Sequence, residues 1–140
     1  MADKIFDRSK TVYIKNVPGK GRGVFANMPF KVGDLIERAP TWGFDVAAGK
    51  LIDCTGLLEY YFVRPDCDDS TRRPLAGYVV FGFMSIVNHS SNPNAQTVWT
   101  DKDSGAWASI LAIKDIMAGD EVTQSYLNIS SYPPTVKFVE

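Results

Sequence analysis

Short apolar runs separated by glycine, proline and asparagine turns make up most of the chain. Residues 11–15 (TVYIK) and 24–26 (VFA) are strand-like, and the glycine-rich stretch between them, residues 16–23, predicts the loop of a hairpin. Residues 96–100 and 107–113 predict a second hairpin across a polar loop. Short strands with frequent turns are typical of an all-β or β-rich domain.

The remaining apolar runs extend this prediction along the chain. Residues 31–40 predict a glycine turn followed by a short strand, and residues 121–126 predict a strand that leaves an acidic turn. Residues 57–63 (LLEYYFV) fit either a short strand or a helical turn. The apolar run over residues 78–87 (YVVFGFMSIV) predicts a buried strand. No long stripe of apolar residues recurs with the 3.6-residue period of a helix, so we expect no helix bundle.

Composition and charge narrow the classes of function. The 140 residues fit one domain, residues 1–140, with 45% hydrophobic and 22% charged residues. The formal net charge of −1 lacks the basic excess of a dedicated nucleic-acid binder. No apolar stretch reaches the ~18 residues that indicate a membrane span, and the polar start, MADKIFDRSK, is unlike a secretory signal. We therefore expect an intracellular protein, in the cytoplasm or in the nucleus or nucleoid, that is not secreted.

The two cysteines, Cys54 and Cys67, do not predict a metal site. They stand 13 positions apart without a CxxC pair, which excludes a four-cysteine zinc site. A mixed site would need His89, both cysteines and a carboxylate, and nothing in the spacing favours one. We expect two free thiols and no bound metal.

Three stretches contain residues that could carry chemistry. Residues 87–94 (VNHSSNPN) surround the single histidine, His89, with small polar residues that commonly bond to nearby backbone. Residues 19–23 (GKGRG) form either a flexible turn or a backbone cradle for a ligand carboxylate or phosphate. Residues 118–126 (AGDEVTQSY) fit an edge strand that ends in an aromatic residue. Taken alone, each stretch also has a purely structural interpretation.

The order and spacing of these stretches resemble those of the SET-domain family of protein-lysine methyltransferases. Three signatures carry the resemblance: GRGVFA (residues 21–26), NHSSNPNA (88–95) and GDEVTQSY (119–126). The similar region covers residues 11–126, and LLEYYFVR (57–64) also resembles a segment of the minimal viral and prokaryotic members, which lack flanking zinc modules. The resemblance implies a mainly β (β-rich α+β) fold of several small sheets of the β-clip type, with a knot-like threading near the C-terminus.

The same resemblance implies roles for individual residues. It implies S-adenosylmethionine as the cofactor, bound by Lys20, Gly21, Arg22, Asn88, His89, Tyr126 and Tyr132. It implies a channel for the target lysine lined by Tyr60, Tyr61, Phe83 and Tyr126. Tyr126 would be the principal catalytic residue and Tyr60 the second, with Tyr61 in place of Tyr60 if the register is off by one. Phe83 and Tyr78, a further candidate for the channel wall, also fit a role as core aromatic residues.

The implied function is the transfer of a methyl group from S-adenosylmethionine to a lysine of a protein such as a histone or another basic chromosomal protein. Direct nucleic-acid or membrane binding is not expected, whereas a homodimer is an expectation from the minimal viral relatives. The alternatives are a non-catalytic SET-like module that binds a protein partner, and an unrelated small β-rich binding domain.

The chain departs from the family pattern at several positions. Ser85-Ile86 replaces the frequent Arg-Phe pair, Ser125 replaces an acidic residue, and Leu127 replaces a glycine. The cysteine cluster that closes the lysine channel in many members is absent, so either the tail, residues 127–140, or a second subunit would have to close it. These departures leave the substrate range and the closure of the channel open.

Overall fold

A computed structural model describes residues 4–7, 11–64 and 75–125 of the chain. Short strands dominate this part, joined by one α-helix, α1 (Val46–Ile52), and two 3₁₀ helices, Gly56–Glu59 and Phe83–Ile86. The strands are β1 (Lys4–Asp7), β2 (Val12–Val17), β3 (Gly21–Ala26), β4 (Leu35–Phe44), β5 (Gly77–Val80), β6 (Asn88–His89), β7 (Ala95–Lys102), β8 (Gly105–Ala112) and β9 (Glu121–Gln124). The prediction of a mainly β fold is confirmed.

The strands form two small sheets. One sheet has the strand order β1-β2-β3-β9-β6, and the other has the order β5-β4-β8-β7. Neighbouring strands are antiparallel, except that β6 and β9 run parallel. Parallel strands need a crossover connection, and here the β7–β8 hairpin of the other sheet lies within it. The predicted knot-like threading near the C-terminus stays a prediction.

Both predicted hairpins are present, with longer strands and shorter loops than predicted. β2 and β3 remain paired up to Val17↔Gly21, which leaves residues 18–20 as the turn. Gly19 and Gly21 have φ values of 79° and 80°, in the left-handed region that favours glycine, and these two positions allow the chain to reverse tightly. The second hairpin, β7–β8, closes through residues 103–104.

The prediction of one buried strand over residues 78–87 is wrong. Strand β5 ends at Val80, and the chain then turns through Gly82 into the 3₁₀ helix Phe83–Ile86. A continuous apolar run does not by itself distinguish a buried strand from a buried helical turn. The run contains buried residues from both of its parts, Tyr78 and Val80 in the strand and Met84 and Val87 in and after the helix, and does not form a single element.

The Glu37 carboxylate stabilises the start of this second 3₁₀ helix. It accepts hydrogen bonds from the backbone N–H groups of Phe83, at 3.1 Å, and Met84, at 2.7 Å. These N–H groups have no partner within their own helix, because the first donors of any helix lack one. A Cβ at Gly82 would lie 2.7 Å from Glu37 Oε1, so glycine at this position permits the close approach of the carboxylate.

Residues 57–63 contain a helical turn, which was one of the two predicted possibilities. The 3₁₀ helix Gly56–Glu59 is followed by an isolated bridge between Phe62 and Tyr78 that extends the edge of β5. Helix α1 was not predicted from the sequence. It has seven residues, of which only Gly49 is buried, so it is too short to produce a periodic apolar stripe.

Side chains from both sheets and from the second 3₁₀ helix form the hydrophobic core. The largest fully buried side chains are Val12, Val24, Met84, Val87, Ile110, Ile116 and Val122. Met84 and Val87 directly precede the polar segment that begins at Asn88, so the core anchors that segment from one side. None of the helices in the described part of the chain is long and apolar enough to span a membrane.

We expect Glu37→Gln to lower the free energy of unfolding by about 1–3 kcal/mol. Glutamine has only one side-chain oxygen, so its NH₂ group would face one of the two partly buried N–H donors of Phe83 and Met84. Glu59→Gln is the matched control, since Glu59 is exposed and its substitution should change stability by less than about 0.5 kcal/mol. Urea denaturation of both variants measures the difference. Equal unfolding midpoints for the two variants would contradict the capping role.

Candidate active site

The polar segment after the core is held by strand β9. Asn88 and His89 form the two-residue strand β6 and pair in parallel with Thr123 and Gln124. The Ser90 N–H extends this pairing by donating to the Gln124 carbonyl at 2.8 Å. His89 is buried, with 7% of its surface exposed. The single histidine therefore lies within a buried pairing of two strands rather than in a surface turn.

Asn94 holds β9 from the other end of the polar segment. Its side-chain Nδ2 donates to the Glu121 carbonyl at 2.8 Å, and its Oδ1 accepts from the Thr123 N–H at 2.9 Å. The Asn94 N–H donates to Thr123 Oγ1 at 3.3 Å. The asparagine amide thus bonds to β9 as a neighbouring strand would, and this satisfies backbone groups that burial would otherwise leave without partners.

Further side-chain hydrogen bonds order the remaining polar residues. Thr97 Oγ1 donates to Gln124 Oε1 at 2.6 Å, and the Gln124 side chain is buried. Ser90 Oγ accepts from the Asn92 N–H at 3.0 Å, which closes the turn within the segment. Among the described side chains no buried nitrogen or oxygen lacks a hydrogen-bond partner. The polar character of the segment is therefore explained by the backbone that it must satisfy.

The Glu121 carboxylate joins this segment to the glycine-rich loop. Glu121 Oε2 accepts a hydrogen bond from Asn88 Nδ2 at 2.8 Å, and Glu121 Oε1 lies 4.0 Å from Lys20 Nζ. Asn88 Nδ2 also donates to the Arg22 carbonyl at 3.2 Å. The Lys20 and Glu121 side chains are only 11% and 18% exposed, so bulk water screens this pair less than a surface pair.

Glycine at position 23 permits this junction. A Cβ there would lie 2.7 Å from Glu121 Oε2, 2.8 Å from Val17 Cγ2 and 3.0 Å from Asn88 Nδ2. At Gly21, by contrast, nothing lies within 4 Å of the position a Cβ would take. The loop is therefore packed tightly on the side of Asn88 and Glu121, while open space lies beside Gly21.

A cleft of about 320 Å³ opens next to this junction. Its walls come from three parts of the chain that are far apart in sequence, and its lining residues are Arg22, Leu57, Tyr60, Tyr61, Val79, Val80, Ser85 and Ile86. Most of the wall is apolar or aromatic. Arg22 contributes the one charged group among these residues, from the same loop that contacts Asn88.

The two neighbouring tyrosines of the cleft differ in how firmly they are held. Tyr61 donates its hydroxyl to Asp53 Oδ1 at 2.9 Å, and its ring meets Phe44 edge-on at 5.1 Å. A Cβ at Gly77 would lie 2.8 Å from the Tyr61 ring, so the ring packs closely against this glycine. Tyr60 is 43% exposed and ends the first 3₁₀ helix. Tyr61 therefore forms a fixed wall, whereas Tyr60 stands at the open rim.

A family model described as the SET domain matches residues 21–127 of the chain. The chain belongs to the SET-domain family. The predicted resemblance is thereby confirmed, and the match includes residues 21–23 of the glycine-rich loop, the polar segment of residues 88–94 (the NHS segment) and strand β9.

Individual relatives of this SET domain are distant. The N-lysine methyltransferase KMT5A-A of Danio rerio is 27% identical over 123 residues, which cover 81% of this chain and 34% of that protein. The chain thus spans about a third of the length of that curated relative.

Solved SET-domain structures share the fold. The Neurospora SET domain protein DIM-5, a histone lysine methyltransferase, matches with a TM-score of 0.65 and 21% identity over 94% of this chain and 57% of that chain. The structure of ctPRC2 in an autoinhibited conformation bound to S-adenosylmethionine matches with a TM-score of 0.62 and 18% identity, over 86% of this chain and 15% of that chain.

The structure brings several predicted site residues of this SET domain together. Lys20, Arg22 and Asn88 meet around Glu121, and Tyr60 and Tyr61 face the same cleft as Arg22. His89 lies beside Asn88 in β6, and Gly21 begins β3 next to Arg22. Their roles toward a cofactor and a substrate stay predictions.

Of the aromatic residues predicted for the site, two do not line the cleft and two lie outside the described residues. Phe83 is partly buried against the core and is not among the residues that line the cleft. Tyr78 is 6% exposed and lies 5.0 Å from the Trp99 ring, as a core aromatic residue would. Tyr126 and Tyr132 lie outside the described residues, as does the tail to which Tyr132 belongs.

Sequence reasoning missed the position of Glu121 and most of the apolar cleft. Glu121 belongs to the third signature, and nothing in the sequence indicates its contacts with Lys20 and Asn88, which are far away along the chain. Ser85 and Ile86 were noted only as departures from the family pattern. Val79 and Val80 carry no sequence signal for a cleft, since apolar strand residues are usually core.

The expectation of no bound metal stays a prediction. The described residues contain no group of three or more His, Cys, Asp or Glu side chains that could hold a metal ion. Cys54 is an exposed free thiol whose Sγ donates to the Lys50 carbonyl at 3.4 Å. Cys67 lies outside the described residues.

We expect Asn94→Ala to destabilise the protein by about 1–3 kcal/mol, because it leaves the Glu121 carbonyl and the Thr123 N–H without their partner. Asn92→Ala is a control from the same segment. Asn92 is exposed and its side chain accepts only from Lys114 Nζ, so its loss should change stability by less than about 0.5 kcal/mol. Thermal and urea unfolding compare the two variants, and equal stabilities would contradict the role given to Asn94.

Proposed function

We propose that this SET domain is an S-adenosylmethionine-dependent protein-lysine N-methyltransferase, with a histone or another basic chromosomal protein as the substrate. The main support for the proposal is the cleft. Tyr60 and Tyr61 line it together with Arg22 of the glycine-rich loop, whose carbonyl accepts a hydrogen bond from Asn88. Support also comes from the family and from relatives that are named lysine methyltransferases. Because the chain covers a minor part of KMT5A-A, the activity is proposed for this chain and not transferred from that protein.

The residues around the glycine-rich loop fit the proposed cofactor. S-adenosylmethionine carries a carboxylate, and Arg22 presents an exposed guanidinium that suits a carboxylate in charge and shape. Open space beside Gly21, with its φ of 80°, lets a ligand approach the backbone closely. We propose that Lys20, Gly21, Arg22, Asn88 and His89 hold the cofactor, together with Tyr126 and Tyr132 from the last part of the chain.

When bound, S-adenosylmethionine supplies an electrophilic methyl group on a sulfonium. The task of the protein is then to present the lysine amine in its neutral form, although a free lysine has a pKa near 10.4. The apolar wall formed by Leu57, Val79, Val80 and Ile86 disfavours the ammonium form, because burial lowers the pKa of an amine. The displaced proton is released to water, so the chain needs no general base.

Alignment of the amine is the remaining catalytic contribution. We propose that the Tyr126 hydroxyl positions the amine and that Tyr60 and Tyr61 line the path of the lysine side chain. Aromatic faces also attract a cationic substrate before it loses its proton. Orientation of reacting groups in a water-poor site can lower a barrier by several kcal/mol. The tail, residues 127–140, is proposed to close the channel.

The cofactor assignment predicts that Gly23→Ala weakens the binding of S-adenosylhomocysteine by about tenfold or more, a change of ~1.4 kcal/mol. The added Cβ would displace Glu121 and Asn88, to which the loop is joined. Gly56→Ala is the matched control, since nothing lies within 4 Å of its Cβ position, and it should bind like the wild-type protein. Titration calorimetry measures both affinities.

The outcomes of that titration separate the proposal from the alternatives. Wild-type protein that does not bind S-adenosylhomocysteine would contradict the cofactor assignment and favour an unrelated binding domain. Binding with equal affinity in both glycine variants would contradict only the role of the loop junction.

Methyl transfer tests the activity itself. Wild-type protein with labelled S-adenosylmethionine and mixed basic proteins should transfer label to lysine, and Tyr126→Phe should lower turnover by about 100-fold or more because the amine loses its positioning group. The variant keeps the aromatic ring through which Tyr126 would contact the cofactor, so its affinity for S-adenosylhomocysteine is the control and should remain within a few-fold of wild type. Cofactor binding without transfer to any protein would favour the non-catalytic module, and near wild-type turnover of Tyr126→Phe would remove Tyr126 from the mechanism.

A further inference from the structure

A buried arginine lies at the end of the segment that supplies the cleft tyrosines. The Arg64 side chain is 7% exposed, and it donates to both carboxylate oxygens of Asp101 in β7, from Nη1 at 2.7 Å and from Nη2 at 3.2 Å. This two-point contact fixes the orientation of the guanidinium as well as its position. It connects residue 64 to a strand far away in the sequence.

Two aromatic rings cover the same guanidinium. Its central carbon lies 5.3 Å from the centre of the Trp99 ring and 5.7 Å from that of the Tyr78 ring. Trp99 belongs to β7 and Tyr78 to β5, so Arg64 contacts both outer strands of the four-stranded sheet. The two ring centres are themselves 5.0 Å apart, so the guanidinium lies over a pair of neighbouring rings that attract the cation, while the carboxylate sets its orientation.

Backbone pairing fixes the chain two residues earlier. The Phe62 N–H donates to the Tyr78 carbonyl and the Tyr78 N–H donates to the Phe62 carbonyl, both at 2.8 Å. The Phe62 ring also meets the Trp99 ring edge-on at 6.2 Å. Phe62 and Arg64 therefore hold residues 62–64 against the sheet at two successive points.

Tyr60 and Tyr61 directly precede this attachment. Both line the cleft, and Tyr60 stands at its exposed rim, where few contacts of its own hold it. The Asp101 side chain is 55% exposed, and an ion pair with a solvent-exposed partner adds little stability. A strongly oriented arginine beside a functional wall is therefore better explained by the geometry that it imposes than by stability.

We propose that Arg64, oriented by Asp101, is a positioning residue that holds Tyr60 and Tyr61 in the wall of the substrate cleft. The inference rests on the proposed function, since it assigns these tyrosines to the lysine side of the site. Arg64 contacts Tyr78 of β5 and Trp99 and Asp101 of β7 in the four-stranded sheet, whereas the glycine-rich loop and the β6–β9 pair belong to the five-stranded sheet. Its loss should therefore affect the protein substrate and leave cofactor binding unchanged.

Arg64→Lys is the variant that tests the proposal, because lysine keeps the charge but cannot form the two-point contact or stack on both rings. Asp101→Asn removes the charge of the partner with little change in shape. We expect each to lower kcat/KM for the protein substrate by about 10- to 100-fold, with an unchanged affinity for S-adenosylhomocysteine. Asp103→Asn, an exposed carboxylate in the β7–β8 turn, is the control and should behave like the wild-type protein.

A double variant tests whether the two residues act through one contact. Arg64→Lys combined with Asp101→Asn should cost about as much as either change alone, since residues in direct contact are not additive. Full additivity of the two losses would overturn the assignment of a shared positioning role.

Amide hydrogen exchange provides a readout that does not depend on activity. The amides of Tyr60, Tyr61 and Phe62 are bonded to the Leu57 and Tyr78 carbonyls, and in Arg64→Lys their exchange should rise by about tenfold or more through local opening. The Ser90 amide, bonded to Gln124 in the cofactor half, should exchange as in the wild-type protein. Unchanged exchange at Tyr60 to Phe62, or an equal rise everywhere, would overturn the proposal in favour of no role or a general structural role.

The two proposals fail in different ways. A wild-type protein that transfers no methyl group to any basic protein would contradict the proposed function, and the exchange pattern would then decide whether Arg64 positions the tyrosines. An active protein in which Arg64→Lys keeps wild-type kcat/KM would contradict the positioning role alone.

Discussion

The irregular backbone between Asn88 and Asn94 is partly buried, and each of its polar groups needs a hydrogen-bond partner. A two-residue strand supplies few of them, so side chains complete the set: Asn94 bonds to β9 like a neighbouring strand, and Thr97 satisfies Gln124. Networks of this kind strengthen when they are complete and are costly when a single member is missing. The position of β9 depends on this set of bonds.

The candidate site has two parts next to the pairing of β6 with β9: the junction at the glycine-rich loop and the apolar wall of the cleft. At the junction, Glu121 joins the glycine-rich loop to Asn88, and the absence of a side chain at Gly23 makes the contact sterically possible. At the wall, the second 3₁₀ helix places Ser85 and Ile86 in the cleft, because Glu37 satisfies the first N–H groups of that helix. Two carboxylates thus determine where the walls of the cleft lie, without facing the cleft themselves.

Much of the fold could be predicted because its signals are local. Glycine-rich turns and alternating strands indicated both hairpins, and the first loop is shorter than predicted because Gly19 and Gly21 adopt left-handed conformations that allow a tight reversal. The run over residues 78–87 could not be assigned correctly, since an apolar run looks the same whether a strand or a helical turn faces the core. Helix α1 had no apolar period to reveal it, because it has seven residues of which only Gly49 is buried.

The sequence by itself determined the family, since three short signatures in a fixed order depend only on residue types and spacing. It also indicated which polar residues lie together, because Asn88, His89 and Asn94 share one short segment. Tertiary structure alone decided that Arg22, Tyr60 and Ile86 border one cleft and that Arg64 reaches Asp101 across the sheet. These contacts join residues that are far apart in the sequence. Packing and sheet register bring such residues together only after the chain has folded, so no local sequence pattern predicts them.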